Sequence, residues 1–267
     1  PSVTKISLST TNGDLTPQVH NWLVMDISDA NTLNDIKEVQ VIIKTNTTGT
    51  SADDNVTDKA TYRWTPTGNW SLVGPTNSTW GFDKIMSDKK PTDLGATAGE
   101  WYLLFLPGKV ARESTTWDIY VKVTDKGGLT GDKIVWGKTM NWYGEISAEN
   151  TSYSFGDIGL GDTNKNISTP PDGNIDVKAI SNGNYKLSSK SGNWTNESNV
   201  AVLDWDGTLD AGHFALEVDG NGTVDTFNYV NDSYEAITDY NNVNAPTAED
   251  GDIKEIYQWI SVADSGL

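Results

Sequence analysis

The chain has 267 residues, 36% of them apolar and 10% aromatic, with 37 acidic against 19 basic side chains and a net charge of −18. The apolar share is enough to build buried cores, which excludes a disordered chain, and the acidity with only Arg63 and Arg112 as arginines excludes the basic footprint that nucleic acids require. The absence of cysteine excludes disulfides, thiolate metal sites, iron–sulfur clusters and thiol catalysis.

From the N-terminus, runs rich in Val, Ile, Thr, Tyr and Trp alternate with clusters of Gly, Asn, Asp and Pro, the pattern of short strands joined by turns. Strands are predicted at 3–10, 18–28, 36–45, 59–65, 69–73, 78–82, 100–106, 115–124 and 132–143. Apolar and polar residues alternate through Ile36–Thr45 and Trp117–Val123, as on a sheet with one face against a core. One helical turn fits around Gly108–Glu113. The longest apolar run, Trp101–Leu106, has a strand's length and cannot cross a bilayer, so no transmembrane segment is expected.

The texture changes near Tyr143–Glu149, and beyond the Pro170-Pro171-Asp172-Gly173 turn strands are predicted at 174–180, 183–190, 199–204, 212–218, 224–230 and 252–262. The fold class expected is all-β, with two Ig-like β-sandwich domains in tandem over 1–145 and 146–267. The second reads as one strand short, because Ala263–Leu267 has turn character with no strand after it. Two readings stay open for that end: an ordinary frayed terminus, or a sheet edge that accepts a strand from another copy. Under the second, Val3, Ile6 and Leu8 of one subunit would insert beside Ile256, Trp259 and Val262 of the next, giving a head-to-tail polymer.

Catalytic constellations are not legible. His20 and His213 fall in different predicted domains with no metal-ligand spacing around either. Gly156-Asp-Ile-Gly-Leu-Gly161 is not followed by a helix that could offer its N-terminus to a phosphate. Asp204 and Asp206 flank Trp205, but close pairs are inevitable among 37 acidic residues, so no catalytic residue is assigned and no enzyme is expected. Calcium suits the carboxylates better, since it takes oxygen ligands from loops. Asp26, Asp29 and Asp35 crowd one strand-to-loop segment, and Asp219, Asn221 and Asp225 recur at every second or fourth position. The latter set departs from an EF-hand loop, with Val224 in place of the required Gly and Val230 in place of the bidentate Glu, so an Asx-rich turn is the competing identity. Trp64, Trp70, Trp80 and Trp101 could likewise form either a sugar-stacking face or a buried core, and a surface polysaccharide is a candidate partner in the first case.

Ten Asn-x-Ser/Thr sequons occur, at Asn46, Asn55, Asn69, Asn77, Asn150, Asn166, Asn193, Asn196, Asn221 and Asn231. With 24 Asn and 52 Ser plus Thr, chance gives about five. N-glycans at these positions imply a chain that crosses a membrane during synthesis, and the start at Pro1 is read as the trace of a removed signal peptide.

Several strings carry a family resemblance. Met25-Asp-Ile-Ser-Asp-Ala-Asn31 with Asn34-Asp-Ile-Lys-Glu-Val39 resembles the opening of Ig-like domains in extracellular proteins, and Tyr62-Arg-Trp64, Trp70, Gly74-Pro75, Ser78-Thr-Trp80 and Trp117–Lys126 extend the likeness. Ser181–Leu187, Trp194-Thr195 and Gly212–Val218 resemble a companion domain. Together they are similar to secreted two-domain Ig-like cell-surface proteins of methanogenic archaea, of the surface-layer or filament type. The resemblance implies an extracellular, glycosylated, non-enzymatic protein that self-assembles into a filament, tube or layer, with a monomeric adhesin or carbohydrate-binding module as the alternative. It covers nearly the whole chain and supplies no catalytic residue.

Overall fold

The computed structural model describes residues 1–10, 13–88, 91–196, 199–223 and 229–265. It is all-β, with 3-10 turns and no α-helix among the described residues. The residues gather into two compact units.

The first unit comprises Pro1–Gly144 together with two returning segments, Ile180–Gly183 and Pro246–Glu249. It contains β1 (Ser2–Ser9), β2 (Asn21–Ser28), β3 (Ile36–Thr45), β4 (Lys59–Thr65), β5 (Asn69–Gly74), β6 (Gly81–Phe82), β7 (Ala98–Leu106), β8 (Ser114–Asp125) and β9 (Thr130–Met140). One sheet has the order β1-β2-β7-β6 and the other β5-β4-β3-β8-β9, with antiparallel pairing throughout. Period-two alternation sends Leu23, Met25 and Ile27 of β2 inward and leaves Trp22, Val24 and Asp26 half-exposed. Both sheets contribute to one core, the sandwich-like arrangement that half-buried strands require.

Aromatic rings fill much of that core. Trp64 of β4 meets Trp101 of β7 edge-on, with ring centroids 5.5 Å apart at 80°, and so joins the two sheets. Trp80 packs on Trp117 at 5.9 Å. Buried indole nitrogens need acceptors: Trp80 donates to the Val56 carbonyl at 2.8 Å and Trp117 to that of Arg112 at 2.9 Å. The stretch 108–113, which admitted a helical turn by sequence, is a tight turn closed by Ala111 N–H on the Gly108 carbonyl at 3.1 Å.

The returning segment 180–183 is held by side chains that behave as internal backbone. Asn182, 1% exposed, donates to the carbonyls of Ala111 (2.8 Å) and Asn141 (2.9 Å) and accepts from Tyr143 N–H at 2.7 Å. Ser181 N–H donates to Thr247 Oγ1 at 3.0 Å, and Thr247 N–H returns a bond to the Ser181 carbonyl at 2.9 Å. Each of these satisfies a buried polar group that would otherwise cost about 1–3 kcal/mol.

The second unit comprises Glu145–Ala179, Asn184–Ala245 and Asp250–Leu267, of which 266–267 lie outside the described residues. Its strands are β10 (Gly144–Ala148), β11 (Lys165–Asn166), β12 (Asn174–Ser181), β13 (Ser188–Ser189), β14 (Trp194–Asn196), β15 (Asn199–Asp204), β16 (His213–Asp219), β17 (Glu235–Ala236) and β18 (Asp252–Val262). The main sheet runs β10-β12-β18-β16-β15-β14, with β11 also pairing β18, and β13 pairs β17 separately. The β15–β16 pair is parallel. This mixed sheet, backed by loops and one small ladder, differs from the pair of antiparallel sheets expected for an Ig-like domain. Its core is built from Phe214, Leu216 and Val218 on one face of β16 with Leu203, Ile260 and Val262 from neighbouring strands. The strand predicted at 224–230 falls mostly on 224–228, outside the described residues, and Tyr229 makes a single bridge with Glu217.

On the outward face of the five-stranded sheet, Lys44 and Asp118 are cross-strand partners, 6% and 1% exposed, with Nζ and Oδ2 3.8 Å apart. The 46–58 connection folds back near them, where Asp54 accepts from Thr61 Oγ1 at 2.6 Å and lies 3.3 Å from Lys59 Nζ. Asp118 Oδ1 accepts from Gly137 N–H, while Oδ2 has no hydrogen bond among the described residues, so its charge relies on Lys44. Lys44→Met should therefore destabilise the first unit by about 3–5 kcal/mol in chemical denaturation, the cost of leaving a buried carboxylate uncompensated. Adding Asp118→Leu should restore most of the loss. Equal stability of the single variant and the parent would refute this account.

Candidate functional site

The first candidate is an acidic cluster at one end of the first unit. Asp29 follows the last residue of β2, Asp35 closes the 3-10 turn Leu33–Asp35, and Asp125 ends β8 opposite Ile36. Carboxylate oxygens of the three lie within 4.8 Å of one another, and Asp29 and Asp125 are buried. Local hydrogen bonds fix each carboxylate. Asn31 N–H donates to Asp29 Oδ1 at 2.8 Å, Asn31 Nδ2 to Asp35 Oδ2 at 3.0 Å, and Leu129 N–H to Asp125 Oδ1 at 2.8 Å. The Pro1 nitrogen stands 3.2 Å from Asp29 Oδ2. Burial acts to raise the Asp29 pKa, but the Asn31 N–H and the Pro1 nitrogen outweigh it and hold the carboxyl below the ordinary range.

This cluster keeps two of the three sequence candidates and exchanges the third. Asp26 lies inside β2 on its outward face, paired with Lys5 and Glu100, because strand alternation turns it away from the strand end. Asp125 takes the third position; only the β3–β8 pairing brings it there, and spacing in the chain does not reveal it. The second sequence candidate behaves as a turn. Asp219 Oδ1 accepts from Asn221 N–H at 3.0 Å, and Asn221 Oδ1 accepts from Thr223 N–H at 2.8 Å, while Asp225 lies outside the described residues.

The segments expected to exchange between subunits are already paired within the chain. Val3 is buried against the core and pairs with Ile27, while Ile6 and Leu8 pair with Met25 and Leu23 and pack on the same core. Trp259 has Glu217 on one side and Asn166 on the other. Val262 pairs with Phe214 and donates its N–H to the Asp162 carbonyl at 2.8 Å, and Ile256 pairs with Ile175. The chain beyond β18 is held too, by Gly161 N–H on Ala263 and Gly212 N–H on Ser265. Among the described residues no vacant strand position adjoins Trp259 or Val262, so insertion of 3–10 there would first have to expel a neighbour. The four tryptophans considered for a sugar-stacking face, Trp64, Trp70, Trp80 and Trp101, are all buried at 3% exposure or less.

Sequon asparagines avoid the interior. Asn46, Asn77, Asn150, Asn166, Asn193 and Asn221 are exposed, and Asn55, Asn69 and Asn231 are half-buried. For Asn196 the side chain lies outside the description. Asn55, Asn221 and Asn231 each accept a hydrogen bond from the hydroxyl two residues on (Thr57, Thr223 and Ser233), so the sequon folds as a local turn.

A feature that the sequence did not disclose lies in the second unit. A cleft of about 310 Å³ is walled by Trp205, Tyr229, Asn231, Glu235 and Ser189 over Val218. Trp205 is 65% exposed. Nearby, Glu217 is 5% exposed, with Oε2 unpaired among the described residues, and burial pushes its carboxyl up to about 7. His213 Nδ1 is 3.0 Å from Asp204 Oδ2, a pairing made by the parallel β15–β16 register, whereas His20 is exposed.

No family model and no curated protein matches the chain. Among solved structures, it is similar to a crystal structure of a DUF4466 family protein from Parabacteroides merdae, at 12% identity and a TM-score of 0.30, with 98% of this chain and 99% of that one covered.

The Glu217 carboxyl gives a signed pH prediction. Its folded value lies above the ordinary 4.5, so the folded state holds the proton more tightly than the unfolded chain. Its contribution is greatest below pH 4.5 and falls as pH rises towards 7, by at most roughly 3 kcal/mol. Urea midpoints of the second unit should drop between pH 5 and 7.5 in the parent and stay level in Glu217→Gln. A parent midpoint that rises over that window would contradict the assignment.

Proposed function

We propose that this chain is a non-enzymatic, exported structural protein of the cell surface, N-glycosylated and associating with further copies of itself into a filament, tube or layer. One observation carries the reading: in the first unit the sequons cluster on the β3–β4 connection and around β5. Asn46 and Asn55 lie on the β3–β4 connection, Asn69 opens β5, and Asn77 lies between β5 and β6, whereas β1, β2 and β7 contain none. The outward face of the sequon-free strands β2 and β7 presents Trp22, Val24 and Tyr102 side by side, with Trp22 and Tyr102 edge-on at 6.3 Å. Half-exposed aromatics are favoured at protein interfaces, and glycan elsewhere keeps the remaining surface soluble.

In glycosylation the asparagine nitrogen bonds the anomeric carbon of a phosphate-activated sugar, loses a proton and displaces the phosphate leaving group. Self-association then uses the outward face of β2 and β7. The mode of contact differs from strand exchange through 3–10, which would require β1 to leave its own core.

Electron microscopy and light scattering of the glycosylated chain should reveal ordered assemblies, lost on Trp22→Glu with Tyr102→Glu while circular dichroism stays native. Assemblies that survive both substitutions rule out this face. A parent chain that stays monomeric and binds polysaccharide would favour the adhesin alternative instead.

We also propose calcium as the occupant of the Asp29, Asp35 and Asp125 cluster. Oxygen atoms within 4.8 Å match the span across a calcium ion bonded at about 2.4 Å on each side. Calcium should raise the melting temperature of the first unit, Asp125→Asn should abolish the rise, and Asp26→Asn should preserve it. An unchanged melting temperature between chelator and millimolar calcium would remove the site.

A further inference from the structure

Among the ten sequons, Asn231 differs in its surroundings. It forms part of the wall of the second-unit cleft, together with two aromatic side chains. Tyr229 stands two residues before it, and Val230 between them is buried in the core at 3% exposure. An extended chain places residues i and i+2 on the same side, so burying Val230 turns Tyr229 and Asn231 together into the cleft. Of the other sequons, only Asn196 has an aromatic residue (Trp194) two positions earlier.

The side chain of Asn231 is oriented before any sugar arrives. Its Oδ1 accepts from Ser233 N–H and from the Ser233 hydroxyl, each at 2.7 Å, while Nδ2 donates to Glu235 Oε1 at 3.2 Å. The nitrogen that would carry a glycan therefore lies along the wall formed by Glu235. Trp205 offers a broad exposed ring, and its loop is packed close to Tyr229: a Cβ added at Gly207 would clash with the Tyr229 hydroxyl. Ser189 also lines the cleft, and its hydroxyl is buried with no hydrogen-bond partner among the described residues. Aromatic faces with a carboxylate, an amide and a hydroxyl are the chemistry that holds a pyranose, whose C–H face is apolar and whose rim is hydroxylated. The cleft volume, about 310 Å³, is at the lower end of the range for small-molecule sites.

We propose that the first sugar of a glycan on Asn231 folds back into this cleft and packs against Trp205 and Tyr229, so that the modification becomes part of the second unit's structure. The inference rests on the glycosylation reading above and extends it to one site. A sugar tethered to the wall meets the cleft at high effective concentration, which favours it over a free sugar of equal chemistry.

The test is a thermodynamic cycle on the full glycosylated chain, with occupancy of Asn231 measured by glycopeptide mass spectrometry. Ser233→Ala removes the sequon but keeps Asn231; Trp205→Ala removes the platform. Each should lower the melting temperature of the second unit by about 2–4 °C, and the double variant should lose no more than either alone. Ser233→Thr, which keeps the sequon, should match the parent. Additive losses in the double variant would overturn the proposal. So would a bare Asn231 when other sequons are occupied, a result that leaves the glycosylation reading intact. If no sequon is occupied, that broader reading falls instead. Unglycosylated chain should be insensitive to Trp205→Ala. Saturable, sub-millimolar binding of free methyl glycosides to it, reported by Trp205 fluorescence, would reassign the cleft to an external sugar.

Discussion

The edge-on contact between Trp64 and Trp101 joins the two sheets of the first unit, and much else follows from it. With no cysteine available, nothing covalent holds β4 against β7, so their separation is set by how two indoles fit. Tyr62 reinforces the seam by meeting Phe82 and Phe105 at about 6 Å, and its hydroxyl reaches the Gly81 carbonyl at 2.9 Å. Close packing at this density leaves little room for either sheet to slide.

Aromatic cores carry a polar obligation. Trp80 and Trp117 meet it with backbone acceptors, whereas the buried Trp70 and Trp101 indole nitrogens have none among the described residues. The first unit accepts that cost in exchange for the large apolar area of each ring. The same trade is visible outside the core, where Lys44 and Asp118 are buried as a pair.

Much of the first unit was legible in the sequence because its strands are long and half-buried. Ile36–Thr45 and Lys59–Thr65 lie where alternation and turn residues predict them. The second unit was read less well. The stretch 183–190 yields only the two-residue strand Ser188–Ser189, and β10, β11, β14 and β17 were not anticipated. Strands of two or three residues show no period, and a parallel pair such as β15–β16 leaves no hairpin turn to read. Site residues divide on the same principle. Asp29 and Asp35 are near in sequence and were found together, while Asp125 arrives through a long-range pairing. The cleft around Trp205 draws on residues from Ser189 to Glu235, and no local pattern announces it. The interface candidates rested on a turn at the chain end, which says nothing about whether the preceding strand is flanked; here β18 is paired with β12, β11 and β16.

The returning segments of the first unit set the order in which the chain can mature. The polypeptide passes between units at 144/145, 179/180, 183/184, 245/246 and 249/250. Asn182 and Thr247 satisfy buried groups of the first unit, so that unit stays incomplete until residues near 249 have left the ribosome. More than a hundred residues beyond Gly144 must therefore be made before the first unit locks. A unit that closes this late stays open while the segments after Gly144 are made, and a cut at 144/145 would strand two of its pieces, 180–183 and 246–249, on the other fragment.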